Sequence, residues 1–221
     1  MPATAARSET AHDGFTVELP TLPDAVPQLR SRLESLRDQA RSDYDRGRAE
    51  LAEIMPADSP MVTGYEHNQR WTIAGRTDRL ISLGSETYSY SGGAHGNTAF
   101  DAILWDVAGD RPLAVIDLFT NRYLGLSLID MRFCAGLREE QLDRLGAISE
   151  DDLWADCPPV EAVALFPTGS ADGPFTGFTV SVPPYIAGPY SAGPFEIDVP
   201  VTAEMLALIK SEYRASFAVP E

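Results

Sequence analysis

Alternation of apolar and polar residues opens the chain. Phe15, Val17 and Leu19 alternate with Thr16 and Glu18, the period of a half-buried strand, and Pro20 and Pro23 end it. The period then lengthens. Val26, Leu29, Leu33, Leu36, Ala40, Tyr44, Leu51 and Ile54 form one stripe of a 3.6-residue repeat, which predicts a long helix over 24–54 with Asp24 as its N-cap. Its other side is dense in arginine and acid, a solvated face supported by i,i+4 pairs. Pro56 and Pro60 terminate it.

Period 2 returns from Met61 to Phe119 and predicts an antiparallel meander with strands at 62–73, 78–90, 98–107 and 112–116. Trp71/Ile73, Ile81/Leu83, Tyr88/Tyr90 and Phe100/Ala102/Leu104 supply the alternation. Ala74-Gly75, Ser91-Gly92-Gly93 and Ala108-Gly109-Asp110 supply the turns. A middle helical segment follows over 121–145, with a break expected at Gly136. Ser149 then caps a short turn that opens with Glu150, Asp151 and Asp152. Strands at 160–166, 174–182 and 195–199 precede a final helix from Thr202 to Arg214, capped by Thr202 and burying Met205, Leu206 and Ile209. The pattern is α+β: antiparallel sheets with a long N-terminal helix, a middle helical segment and a C-terminal helix. It divides into a flexible tail at 1–13, an N-terminal subdomain at 14–120 and a C-terminal subdomain at 121–221, the last two forming one compact unit.

One connection exceeds what the pattern needs. A two-residue hairpin would join the strands at 174–182 and 195–199. The chain instead places Pro183-Pro184-Tyr185-Ile186-Ala187-Gly188-Pro189-Tyr190-Ser191-Ala192-Gly193-Pro194 between them. Proline lowers the ordering cost of docking, and Tyr185 and Tyr190 offer large amphipathic contact area. The loop reads as a binding protrusion; the alternative is an elaborate crossover between strands.

Charge narrows the partner. The net charge is −16, and residues 136–221 hold 14 acids against four bases. Such a surface repels nucleic acid and anionic membrane and attracts cationic partners, unless the charge serves solubility alone. No apolar run is long enough to span a membrane, and no signal peptide is visible. The small, polar stretch Met1–Asp13 reads as a tether or as a start that follows a removed leader.

Candidate chemistry is sparse. His95 lies in Tyr90-Ser91-Gly92-Gly93-Ala94-His95-Gly96-Asn97, with Glu86 and Asp101 near enough in sequence to orient an imidazole for base catalysis. No second histidine shares the stretch, since His67 falls within a strand and His12 in the tail. A metal site is therefore not expected, and a recognition or structural turn is the stronger reading. Ser91 and Ser191 lie in no Gly-x-Ser-x-Gly elbow, and there is no phosphate-cradling loop or dinucleotide fingerprint, so no cofactor is expected. Scattered carboxylates neither support nor exclude paired-acid chemistry. Cys134 and Cys157 fit no metal spacing. They are either two buried thiols or one disulfide closing 22 intervening residues, worth about 3 kcal/mol by chain entropy.

Two stretches resemble a known pairing of domains. Tyr88-Ser89-Tyr90-Ser91-Gly92-Gly93-Ala94-His95-Gly96, continuing to Phe100-Asp101 and Ile116-Asp117-Leu118-Phe119, resembles a bacterial envelope domain of unknown function. Val182 through Pro194, followed by Ile197-Asp198-Val199-Pro200, resembles its companion, except that Gly188 separates Ala187 from Pro189 where the companion's motif runs Ala-Pro-Tyr. The pair is found beside polysaccharide deacetylases, in the extracytoplasmic part of lysozyme-sensing anti-sigma factors, and in exported proteins or lipoproteins. In the lysozyme-sensing members the two motif loops lie together and enter the lysozyme cleft. The resemblance therefore implies a non-catalytic, periplasmic or extracytoplasmic module that can carry a lipid anchor. It implies binding through Ser91, Gly92, Gly93, His95, Pro184, Tyr185 and Tyr190, and, with export, a Cys134–Cys157 disulfide. The expected partner is a cationic protein such as a lysozyme; peptidoglycan or another glycan is the alternative, and a hydrolase using His95 a third reading. The sequence resembles neither effector part, deacetylase or sigma-binding segment.

Overall fold

The computed structural model describes residues 13–148, 151–170 and 172–221. The tail expected at 1–13, apart from Asp13, and the cap expected at Ser149 with Glu150 lie outside them.

The first strand forms as β1 (Phe15–Glu18), yet it pairs parallel with β2 (Glu66–Arg76), from Phe15 opposite His67 to Glu18 opposite Arg70. A parallel pair needs a long crossover, and α1 (Pro27–Ile54) provides it. The helix starts later than expected. Asp24 does not cap it; Val26 occupies the cap position without a side-chain hydrogen bond, and Pro27, with its fixed φ, opens the first turn. The Gln28 N–H donates instead to Asp110 Oδ2 at 3.0 Å, and Asp110 Oδ1 accepts from Trp105 Nε1 at 2.9 Å. A turn distant in sequence thus caps the helix.

The strand expected at 62–73 is displaced. Ser59 caps a short helix, α2 (Pro60–Thr63), so β2 begins only at Glu66. It then continues through Ala74-Gly75, which forms a bulge and no turn, with the register shifting between Ile73 and Gly75. β3 (Leu80–Tyr90) and β4 (Asn97–Asp106) follow as an antiparallel ladder. β5 is cut to Arg111–Leu113, because 115–118 turns into a 3-10 helix. These strands make one sheet in the order β1-β2-β3-β4-β5.

α3 (Arg122–Leu145), capped by the Asn121 side chain, runs unbroken through Gly136. The glycine serves close packing rather than a break: a Cβ there would fall 2.8 Å from Ile197 Cγ2 on β8. The stretch 160–162 is a 3-10 turn, so the strand expected at 160–166 becomes β6 (Ala164–Gly169). With β7 (Phe175–Val182) and β8 (Phe195–Pro200) it forms an antiparallel three-stranded sheet. The final helix is two pieces, α4 (Ala203–Leu208) and α5 (Ser211–Arg214). Ile209 leaves helical geometry between them to bridge Phe119. Thr202 caps α4 as its sequence implies, accepting from Met205 N.

Two apolar clusters result. Leu22, Val26, Leu29 and Leu33 pack on Trp71, Ile81, Leu83 and Trp105 of the larger sheet. The second cluster joins Phe133 and Leu137 of α3 to Phe178, Val180, Phe195 and Val199 of the smaller sheet, and includes Leu80, Leu104 and Leu113 from the larger one. Residues 216–218 complete it: Phe175 N–H donates to Ser216 O at 2.8 Å, and Ala218 N–H to Phe175 O at 2.9 Å. Among the described residues no helix is long and apolar enough to cross a membrane.

Candidate functional site

The β3–β4 connection is a glycine turn. Gly92 (φ 85°) and Gly93 (φ 136°) take backbone angles that side chains disfavour, and the Tyr90 hydroxyl donates to Gly93 O at 3.0 Å. The turn presents His95. Its Nδ1 lies 2.7 Å from Gly96 O; a carbonyl only accepts, so Nδ1 carries the proton and Nε2 accepts from the Tyr185 hydroxyl at 3.0 Å. The imidazole lies flat on Tyr190, with 3.6 Å between centroids and 19° between planes. Tyr185 and Tyr190 are 5.7 Å apart. The two loops therefore meet, through the His95–Tyr185 hydrogen bond and the stacking of His95 on Tyr190.

The 183–194 loop is held from α3. Gln141 is buried, and its amide donates to Ala187 O at 2.7 Å and Trp154 O at 3.3 Å while its Oε1 accepts from Arg138 at 3.0 Å. The amide nitrogen of one side chain is thus spent on fixing two segments. One turn on, Arg144 donates to Ala192 O at 3.2 Å and Pro194 O at 2.6 Å and lies over the Phe195 ring at 4.4 Å. Trp154 Nε1 donates to Tyr185 O at 3.2 Å. Tyr185 itself sits at φ 71°, a conformation costly for a residue with a Cβ, which these contacts over-determine. Cys134 and Cys157 are bonded, anchoring the chain that carries Trp154 to α3.

Of the residues expected to bind, Ser91, Gly93, His95 and Tyr185 are exposed, and Gly92 and Tyr190 half-buried. Pro184 is buried, so it supports the loop and offers no contact surface of its own. Glu86 and Asp101 do not orient His95. Glu86 stands opposite Arg70 and Phe100 in the sheet, Asp101 opposite Ser85, and both imidazole nitrogens are taken by Gly96 and Tyr185. Among the described residues no group of three His, Cys, Asp or Glu side chains could hold a metal ion.

The perturbed titrations lie elsewhere, around β1 and α1. A hydrogen bond from Arg41 lowers Asp13, one from Gln39 lowers Asp43, and burial raises Tyr44 and lowers His67.

Gln141, Arg138, Arg144 and Trp154 carry the site's support, and the apolar pattern did not single them out. One signal was available. Ile129, Phe133, Leu137 and Gln141 recur every four residues along one buried stripe, and a polar residue ending such a stripe must find partners indoors.

With this architecture, an α+β module presenting two joined loops, the chain shares its fold with a DUF3298 family protein from Pseudomonas aeruginosa PAO1. The likeness has a TM-score of 0.50 and 19% identity over 67% of this chain, which spans 64% of that one. A DUF3298 family member from Bacteroides fragilis NCTC 9343 also matches, at 23% identity and a TM-score of 0.47, over 84% of this chain and 70% of that one. Residues 14–98, from β1 through the glycine turn, match the family model described as deacetylase PdaC. The curated proteins contain no match.

Proposed function

We propose that the chain is a non-catalytic, extracytoplasmic binding module of the cell envelope, whose joined 91–97 and 183–194 loops take a cationic, lysozyme-like glycosidase. The observation that carries this is the junction of His95 with Tyr185 and Tyr190. Three rings from two distant loops are arranged in advance on backbone pinned by Gln141 and Arg144, so little entropy is lost on docking. Tyr185, 53% exposed, is the natural anchor. The net charge of −16 suits a basic partner, and the disulfide suits an oxidising compartment. Export, with or without a lipid anchor, and the absence of nucleic-acid binding belong to the same reading.

A second reading, a peptidoglycan or glycan module, is favoured by the exposed rings of Tyr185 and Tyr88, flat faces of the kind that stack on sugars. A hydrolase using His95 would need a partner group, and the Tyr185 hydroxyl is what meets Nε2. Calorimetric titration with lysozyme separates the first two. Binding that weakens with salt and is lost in Tyr185→Ala supports the protein partner. No heat with wild type at low salt rejects it, and retention on purified peptidoglycan that high salt barely weakens supports the glycan.

A further inference from the structure

The two sheets meet where β6 packs across β2, β3 and β4, and beside that contact they leave a cleft. Alternation decides what lines it. Phe178, Val180 and Val182 of β7 turn into the core, so Thr179 and Ser181 turn the other way, toward the larger sheet. They face Thr72, Gly84 and Glu86 there, around a cavity of about 270 Å³ that Thr168 and Glu196 also line. A second cavity, of about 360 Å³, shares Arg70 and Glu86 with the first and leads along the sheet to Tyr88. Its end touches the glycine turn, since a Cβ on Gly96 would strike the Tyr88 ring.

Among the described residues, three polar groups in this cleft lack partners. Ser181 is 2% exposed, yet its hydroxyl makes no hydrogen bond, whereas neighbouring Thr179 donates to Asp198 at 2.6 Å. Glu86 and Glu196 carry no ion pair or hydrogen bond either; Arg70, opposite Glu86 in the ladder, donates to Glu18 at 2.7 Å. A buried hydroxyl left unpaired costs free energy unless something in the cleft meets it. Two unpaired carboxylates on one cavity repel each other until a cation joins them. Most of the lining comes from β2, β3 and β7, interior strands whose backbone is spent on the ladders. The cleft therefore reads a ligand through side chains and gives an extended peptide no edge to pair with.

We infer that the cleft between the sheets is a glycan site, separate from the loop junction, that takes a short chain of sugars carrying a free amine. Glu86 and Glu196 hold the ammonium, the Ser181 hydroxyl meets a sugar hydroxyl, and Tyr88 offers a flat face to a neighbouring ring. This rests on the glycan reading above and moves its centre from the loops into the cleft; the lysozyme reading is independent of it.

The probe is a short chitosan oligomer, whose sugars carry free amines, titrated against the full chain beside the N-acetylated chitin oligomer of equal length. Wild type should bind chitosan about tenfold more tightly than chitin. Glu86→Gln and Glu196→Gln keep side-chain size and remove one charge each. Either should weaken chitosan binding about tenfold and leave the melting temperature unchanged, because neither carboxylate has a partner in the fold. Ser181→Ala removes only the unpartnered hydroxyl and should weaken both oligomers severalfold. Equal affinity for the two oligomers overturns the role of the amine. Oligolysine binding as tight as chitosan, and lost in the same glutamine variants, overturns the glycan in favour of a basic peptide. No binding of chitosan by wild type overturns the inference as a whole; if purified peptidoglycan still retains the protein, the glycan reading stands on its loops, and if it does not, both fall.

Discussion

His95 stacks on Tyr190 at 3.6 Å between ring centroids, and the same imidazole accepts a hydrogen bond from Tyr185. One side chain of the N-terminal motif thus holds both tyrosines of the C-terminal one. His95→Ala should cost about 1 kcal/mol for the lost ring pair, a fall of about 2–4 °C in melting temperature for a chain of this size. His95→Phe should restore most of that stability while leaving the Tyr185 hydroxyl without its imidazole acceptor. Thermal melts of both variants beside lysozyme titrations would show whether the stack or the hydrogen bond matters more to binding.

Gln141 ties the loop to α3 through a buried amide. Gln141→Leu matches its size but leaves the carbonyl of buried Ala187 without this donor, at a cost of about 1–3 kcal/mol. Gln141→Glu should be worse, because a carboxylate would face two carbonyl oxygens. Chemical denaturation would rank the two. A Gln141→Leu protein as stable as wild type would show that the amide network is idle.

Gly136 tests close packing. Alanine gains about 1 kcal/mol over glycine in a helix, but its Cβ would fall 2.8 Å from a methyl fixed on the branched Cβ of Ile197. Overpacking of about 1–3 kcal/mol should win, so Gly136→Ala is expected to lower stability. Adding Ile197→Leu, which removes that methyl, should recover part of the loss.

His67 gives stability a pH dependence. It stacks on Phe15 at 5.3 Å, its Nε2 is buried without a hydrogen-bond partner among the described residues, and burial holds its pKa below 6.5. The unfolded chain therefore takes up this proton at higher pH than the folded one. The stability that neutral His67 contributes is present above pH 6.5 and is lost as pH falls toward the lowered folded value. His67→Phe keeps the stack and should flatten that part of the stability-pH profile, measured by urea midpoints at successive pH values.

Periodicity revealed elements better than it revealed what glycines and polar residues do within them. The strands β7 and β8 and the cap at Thr202 follow from alternation and local hydrogen bonding, which act over a few residues. Ala74-Gly75 and Gly136 look like punctuation because glycine frees the backbone. Each instead admits a neighbour distant in sequence, Phe175 in one case and Ile197 in the other. The parallel pairing of β1 could not be read from its pattern, since alternation marks a half-buried strand and says nothing of direction. At the site, both motif loops stand out by composition. What holds them does not, because Gln141, Arg144 and Trp154 act through backbone carbonyls, and a carbonyl leaves no mark on sequence.

The bridge between Phe175 and residues 216–218 has a consequence for timing. β7 leads directly into the 183–194 loop, yet Phe175, its first residue, which stands opposite Gly169 in the sheet, also donates its N–H to Ser216 and accepts at its C=O from Ala218. A chain emerging N-terminus first displays the glycine turn and His95 long before that clasp can close. The junction of the two loops is therefore completed late, once nearly all of the residues through 218 are available to fold, and a part-made chain carries the glycine turn without the tyrosines that meet His95.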